Sequence, residues 1–292
     1  MSKSKVYFTK ILEPQSLVKL YNKLEIKLPG KVAVKLHSGE EGNQNYLKPE
    51  FVKDIIEYVN GTVVECNTAY PGKRNTTKKH EKLMEKHGWS QHFNVDILDS
   101  KEELILYNEN GKIIKKNIVG KNIEKYNSML VLSHFKGHPM GGFGGALKNM
   151  SIGLASSKGK KYIHTGGKEK STYLDLFSAD HDSFLMAMGD ACKTITDYYK
   201  DKIVYINAMV NMSVDCDCCA KAKDPCMQDI GILASTDPVA LDQACIDLVY
   251  NSTDPGRDEL VERIESKNGL LTIKASEEQG AGSREYELIN ID

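Results

Sequence analysis

Short apolar runs alternate with helix-like segments along the first third of the chain. The apolar runs predict strands at residues 6–11, 31–36 and 62–66. Apolar side chains recur at intervals of three and four between and after these runs, which predicts helices at residues 14–24, 48–59 and 78–87. This repeated alternation is typical of an α/β fold, with mostly parallel sheets flanked by helices.

The remainder of the chain continues this pattern after one interruption. Residues 95–119 hold short alternating pieces around a polar turn at 108–111, which predicts a small antiparallel excursion. Further strands are predicted at 129–132, 161–164, 203–212, 230–234 and 286–291, and further helices at 182–199, 239–250 and 258–267. We expect one α/β unit over residues 1–292; two lobes, about 1–125 and 126–292 with the site between them, are the alternative.

Charge and hydropathy restrict the partners. The chain has 39 Lys+Arg against 40 Asp+Glu, a formal net charge of -1. This balance gives no reason to expect a nucleic-acid partner. No apolar run approaches the roughly 20 residues of a membrane span, and the first residues show no apolar signal core. We therefore expect a cytoplasmic protein with a small-molecule partner.

A glycine-rich stretch at residues 133–157 follows the predicted strand 129–132. It contains His134 and His138, then four glycines within residues 141–145, then Lys148 at a predicted helix start. A strand, a bend and a helix start place backbone N–H groups and Lys148 where an anion can sit. The spacing matches no nucleotide-binding motif. An ordinary glycine-rich turn is the alternative.

Polar side chains follow three successive predicted strands, at residues 37–43, 67–77 and 133–148. Ligands bind beyond the carboxyl ends of parallel strands, so these loops predict a cleft. His134, His138 and His164 are candidate metal ligands or acid/base groups, because histidine titrates near neutrality. The residues expected to bind an anionic substrate are Lys35, His37, Arg74, His138, Gly144, Gly145 and Asn149, with Lys148 as a second cation.

Four cysteines are grouped as C-x-C-C-x6-C, at positions 216, 218, 219 and 226. Thiolates bind zinc or iron–sulfur clusters, although this spacing departs from the usual iron–sulfur runs. Cys216 and Cys218 share one face of an extended segment, so we expect them to act as a pair. Cys226, a histidine or Asp229 would complete the site. Reactive or structural loop cysteines are the alternative.

Several motifs resemble a known family. NTAYPGKRNTTKKH at 67–80, residues 133–164, the CDC at 216–218 and DIGILASTDPVALDQACIDL at 229–248 are similar to the domain-of-unknown-function 362 family. Many of its members carry an inserted ferredoxin-like segment and are labelled iron–sulfur; this chain lacks that segment. The resemblance favours Cys216 and Cys218 over Cys219 and Cys226.

A weaker resemblance concerns residues 133–153, whose layout is similar to the core of nickel-pincer lactate racemase. It implies that Lys148 matches the cofactor lysine, His134 an acid/base group and His164 a nickel ligand. Together with the cysteine pair, this leaves iron–sulfur, zinc and nickel as candidate metals.

The functional expectation is a metal-binding enzyme, of oxidoreductase or isomerase type, acting on a small anionic molecule in the predicted cleft. Its catalytic residues would be His134, Lys148 and His164, and its metal ligands Cys216, Cys218 and Cys226. The first alternative is an electron-transfer or metal-carrier protein that uses the cysteine cluster and a redox partner protein. The second is a scaffold with structural zinc.

Overall fold

The computed structural model describes residues 3–169, 172, 174–177 and 179–292. Its main sheet contains β1 (Ser4–Thr9), β2 (Val32–Lys35), β3 (Gly61–Glu65), β4 (Val95–Ile97), β7 (Ser128–His134), β10 (Ile203–Met209), β11 (Gly231–Ser235) and β12 (Tyr286–Asn290). The spatial order is β12-β1-β11-β10-β7-β2-β3-β4. Within this sheet, β11 runs antiparallel to β1 and β10, and every other neighbouring pair is parallel.

The helices lie on both faces of this sheet. They are α1 (Pro14–Lys23), α2 (Pro49–Tyr58), α3 (Thr77–Lys86), α4 (Trp89–His92), α5 (Ala146–Leu154), α6 (Ser157–His164), α7 (His181–Tyr199), α8 (Pro238–Tyr250), α9 (Arg257–Ser266) and α10 (Leu270–Glu278). In the central strand β7, Met129 and Val131 pack into one hydrophobic core, while Leu130 and Leu132 pack into a second. Because both faces are covered, β7 is apolar at successive positions rather than alternating.

The predicted α/β class, with a mostly parallel sheet and a small antiparallel part, is confirmed. The antiparallel part is the hairpin β5 (Glu103–Tyr107) and β6 (Lys116–Gly120). Val95–Ile97, which was expected in this excursion, instead pairs in parallel with β3 at the edge of the main sheet. Strands from both sides of residue 125 pair in that sheet, as β2 with β7. The division into two lobes stays a prediction.

Two local predictions differ from the structure. The strand predicted at 161–164 is wrong, because these residues form the carboxyl end of α6. At the amino end of this helix, Ser156 is the cap and accepts a hydrogen bond from the Gly159 N–H. The glycine-rich bend is a second hairpin, β8 (Lys136–His138) and β9 (Gly142–Gly144). Gly142 has φ of +76°, a conformation that glycine adopts without steric cost. Among the described helices, none has the length and apolar character needed to cross a membrane.

Candidate functional site

A cavity of about 330 Å³ lies where β3, β2, β7 and β10 end. These four parallel strands are neighbours in the sheet, so the loops that follow them meet at one edge. The cavity is lined by the following predicted residues: Lys35, His37, Arg74, His134, His138, Gly144, Gly145, Lys148, Asn149, His164, Cys216 and Cys218. The polar residues that follow the predicted strands therefore lie around this cavity.

A sulfur and nitrogen cluster forms part of the cavity wall. One ligand atom each from His138, Cys216 and Cys218 lies within 4.8 Å of the others. A hydrogen bond that the Cys216 thiol donates to Cys218, and then burial, raise the pKa of this thiol to about 11. Without a metal, Cys216 is therefore a thiol, and metal binding there must release a proton.

Cys226 does not join this cluster. Its Sγ donates a hydrogen bond to the Met212 carbonyl at 3.2 Å. Asp229, an alternative ligand, accepts a hydrogen bond from the Asn211 N–H at 2.7 Å. Among the residues that the structure describes, neither belongs to a group that can hold a metal. A site with four cysteine ligands is not assembled in this part of the chain.

The ring nitrogens of His134 both face acceptor oxygens. Nδ1 lies 2.8 Å from Asp217 Oδ1, and Nε2 lies 2.6 Å from the Val210 carbonyl. An acceptor on each side requires an N–H on each nitrogen. These two contacts attach the loop that follows β10 to His134, the last residue of β7. They leave no ring nitrogen to exchange a proton with a ligand. The acid/base role expected for His134 is not favoured by this geometry.

His138 and His164 are held in opposite tautomers. Nδ1 of His138 accepts from the backbone N–H of Met140 at 3.1 Å and of Gly141 at 2.7 Å, so its proton is on Nε2. That Nε2 lies 3.8 Å from Cys218 Sγ and can donate to it. Nδ1 of His164 instead donates to the Lys160 carbonyl at 2.7 Å, which leaves a lone pair on Nε2. Burial lowers the pKa of both rings to about 4, so both are neutral near pH 7.

Most of the cavity's cations already have partners. Arg74 Nε lies 3.2 Å from Glu40 and its Nη1 lies 3.4 Å from Glu65, so its fork holds protein carboxylates. Lys136 pairs with Asp217 at 2.7 Å. Lys148 has no hydrogen-bond or ion-pair partner for its Nζ in the described part of the chain. It is therefore the cation best placed to take an anionic ligand.

Two further cavity lysines donate to carbonyl groups. Lys160 Nζ contacts the Ala155 carbonyl at 2.6 Å, and Lys35 Nζ contacts the Leu36 carbonyl at 2.5 Å. Burial lowers the pKa of both amines, that of Lys35 to about 8. His37 accepts a hydrogen bond from the Gly39 N–H at 3.1 Å, and burial holds the pKa of its ring well below the ordinary value.

An internal carboxylate occupies the amino end of α5. Asp242 of α8 accepts hydrogen bonds from the backbone N–H of Ala146 at 2.8 Å and of Leu147 at 2.9 Å. A Cβ at Gly145 would lie 2.4 Å from Asp242 Oδ1, so this glycine admits the carboxylate. The expectation that an external anion binds this helix terminus is therefore corrected. The protein supplies its own anion there.

Comparison with known proteins identifies the family of this chain. A family model described as domain of unknown function (DUF362) matches residues 32–247. The chain belongs to this family. A search of curated proteins finds no match.

Among solved structures, this DUF362 chain is similar to the lactate racemase apoprotein from Thermoanaerobacterium thermosaccharolyticum, with 12% identity and a TM-score of 0.45 over 85% of this chain. It is also similar to a protein from Thermotoga maritima, with 10% identity and a TM-score of 0.44 over 91% of this chain. The matches cover 58% of each of those longer chains. The first is the enzyme whose core the glycine-rich stretch resembles.

Sequence reasoning missed several charged residues of this DUF362 site. Asp217 stands between the paired cysteines and binds His134 and Lys136, a role that the sequence did not predict. Lys136 lies midway between His134 and His138, so the three positions share one face of an extended segment. That period of two was an available signal. The role of Asp242 had no such local signal, because its partners lie about a hundred residues earlier.

Proposed function

We propose that this protein is a metal-dependent enzyme acting on a small anionic molecule. The anion would bind to Lys148, and a soft metal ion would bind to the thiolates of Cys216 and Cys218. The observation that supports this proposal is the meeting of two elements in the wall of one cavity: the pair of Cys216, which is buried, and Cys218, which is partly buried, and a lysine that has no partner among the described residues.

Lys148 supports the anionic class of ligand. Lys148 lines the same cavity as the Cys216–Cys218 pair, and its charge partly offsets the rise in the pKa of both thiols. Arg74 and Lys136 are paired with carboxylates, and Lys160 and Lys35 donate to carbonyl groups. A cation with no partner among the described residues fits a single negative charge, such as a carboxylate, better than a polyphosphate.

The cysteine pair supports a soft metal. Thiolates select zinc, copper or iron over the hard cations. Two protein ligands would leave coordination positions open to the cavity, where a metal ion can polarise a bound oxygen. His138 is placed as a hydrogen-bond donor to a thiolate, because its Nδ1 accepts two backbone N–H groups. Such a donor tunes a bound metal through its ligand.

The electron-transfer alternative requires more cysteine ligands. Cys219 is the neighbour of Cys218, and Cys226 is engaged with the Met212 carbonyl. Among the described residues, the group that could hold a metal contains no third sulfur. The cavity beside the pair is better explained by a small molecule than by an electron-transfer role alone.

Metal titration tests the first half of the proposal. Purified, metal-stripped protein is titrated anaerobically with Co²⁺, whose thiolate charge-transfer absorption reports sulfur ligation, and with Zn²⁺ by calorimetry. We expect Cys216→Ser and Cys218→Ser to lose both signals and Cys226→Ser, the matched control, to keep them. Equal binding by all three variants and the unmodified protein would show that the pair holds no metal.

Ligand titration tests the second half. Lactate, oxalate and inorganic phosphate are titrated into the metal-loaded protein and into Lys148→Ala, with the exposed Lys158→Ala as the control. We expect carboxylate binding to weaken at least about tenfold in Lys148→Ala, since a charge-assisted contact contributes roughly 1.5–3 kcal/mol. Unchanged binding in that variant would remove Lys148 from the site.

A further inference from the structure

Lys35 is a buried amine with an unusual setting at the end of β2. Only 1% of the residue is exposed, and it lines the cavity. Its Nζ donates to the Leu36 carbonyl at 2.5 Å and to Asn149 Oδ1 at 2.9 Å. No carboxylate forms an ion pair with this amine within the described ranges. A neutral amine has two N–H donors, which match these two acceptors and leave the nitrogen lone pair free.

Asn149 is locked in the orientation that this arrangement requires. Its Nδ2 donates to the carbonyls of Lys35 and Leu132, both at 3.1 Å, and to Ser133 Oγ at 3.0 Å. Turning the amide over would place its oxygen against two carbonyl oxygens, which is unfavourable. The Asn149 oxygen therefore stays on the amine, and acceptors on two neighbouring strands, β2 and β7, fix its position.

Gly153 provides the space for the amine. A Cβ at this position would lie 2.6 Å from Lys35 Cε and 2.8 Å from Lys35 Nζ. Asn149 and Gly153 are one turn apart on α5, so this face of the helix is shaped around the end of the Lys35 side chain. Burial, the fixed acceptor and the missing side chain together make a built pocket for the Lys35 amine.

We propose that the Lys35 amine captures the carbonyl group of a small carboxylate-bearing aldehyde or ketone as an imine. The nitrogen lone pair attacks the carbonyl carbon and forms a C–N bond. The carbonyl oxygen takes the two amine protons and leaves as water, which gives the C=N bond without any oxidant or reductant. The carboxylate of the same molecule would sit at Lys148. The proposal uses the anion site of the proposed function, and it is independent of the metal.

The protonation of the amine agrees with this chemistry. Burial lowers the pKa of Lys35 to about 8. At pH 7 its neutral fraction then exceeds that of an exposed lysine, with a pKa of about 10.4, by roughly two hundredfold. Because only a neutral amine attacks a carbonyl, Lys35 should react first.

Reductive trapping tests the proposal on the full chain. The protein is incubated at pH 7 with glyoxylate and sodium cyanoborohydride, and each lysine's adduct is quantified by peptide mass spectrometry over time. We expect the initial rate at Lys35 to exceed that at exposed Lys158 by at least tenfold. Equal rates, or preferential labelling of Lys148 or Lys160, would overturn the proposal.

A second variant guards against non-specific labelling. Gly153→Ala should reduce the rate at Lys35 at least tenfold without changing the rate at Lys158. A denaturant titration confirms that this variant is folded. A folded Gly153→Ala variant that labels Lys35 as fast as the unmodified protein would also overturn the proposal, because the shaped pocket would then be irrelevant.

Two controls separate this proposal from the metal and anion sites. Trapping at Lys35 should persist in Cys216→Ser, whether or not metal binds to the unmodified protein; its loss there would overturn the independent amine site. Lys148→Ala should abolish the preference for glyoxylate over the neutral propionaldehyde while leaving propionaldehyde capture intact. If the preference persists with Lys35 labelled, the anion site at Lys148 fails and the amine site stands.

Discussion

Removing the Asp242 carboxylate should loosen α5, the helix that carries Lys148, Asn149 and Gly153. The carboxylate accepts hydrogen bonds from two backbone N–H groups and, at 2.7 Å, from Asn207 Nδ2. Hydrogen bonds to a charged group contribute roughly 1.5–3 kcal/mol each before the cost of burying the charge. Asp242→Ala should therefore lower the free energy of unfolding by about 2–4 kcal/mol at pH 7.

The stability difference between the unmodified protein and Asp242→Ala should also change with pH in a definite direction. Burial raises the pKa of Asp242 to about 6, from an ordinary value of 3.8. The folded state thus holds this proton more tightly than the unfolded state does. The associated stabilisation is complete below about pH 4 and is lost as the pH rises through 6. The gap between the unmodified protein and Asp242→Ala should therefore widen from pH 7 to pH 4, by roughly 2–2.5 kcal/mol.

Denaturant unfolding, followed by circular dichroism at several pH values, measures both effects. Asp258→Ala is the control, because its side chain is 78% exposed in a surface ion pair with Arg257. The control should change stability by less than about 0.5 kcal/mol. If Asp242→Ala is as stable as the control, the capping role assigned to Asp242 is incorrect. If its gap to the unmodified protein narrows on acidification, the raised pKa of Asp242 is incorrect, because the hydrogen bonds to its carboxylate then outweigh its burial.

Three further variants test other parts of the site. His138→Gln should keep the metal affinity within about tenfold, because the glutamine amide can still donate a hydrogen bond to a thiolate. Co²⁺ titration measures this affinity. A loss of affinity as large as in the cysteine variants would make His138 a metal ligand. Gly145→Ala should cost about 1–3 kcal/mol by denaturant unfolding, since its Cβ would meet Asp242, whereas Gly72→Ala, with no contact closer than 3.6 Å, should cost less. Lys35→Met should raise the free energy of unfolding at pH 7, because the lowered pKa of Lys35 destabilises the fold wherever the amine is charged. The unmodified protein should gain stability between about pH 8 and 10.5, and the variant should lack this gain. The same dependence of stability on pH in both proteins would contradict this.

The position of the cavity follows from one rule of parallel sheets. Parallel strands end at the same edge, so polar residues after β2, β3 and β7 had to meet there. The apolar run at 129–132 likewise predicted a strand, and it lies within β7. These features depend on local pattern, which a single sequence displays.

What the sequence did not predict depends on distant partners. Arg74 was expected to hold a substrate, but Glu40 and Glu65 hold its guanidinium, and only the folded chain brings them together. The helix terminus at Ala146 was expected to be open, but Asp242 reaches it from α8. The short run 161–164 had too few residues for its period to be read, so a helix end was mistaken for a strand.

The order of strands in the main sheet also has a consequence for how the protein folds. β7 pairs with β2 on one side and with β10 on the other, although long stretches of chain separate all three. Farther out, β1 pairs with β12, the last strand of the chain. Contacts between such distant segments must overcome loop-closure entropy before they stabilise the fold, so folding should be slow. The cavity can exist only once these pairings have formed, and a ligand that binds it will therefore protect the chain against global unfolding.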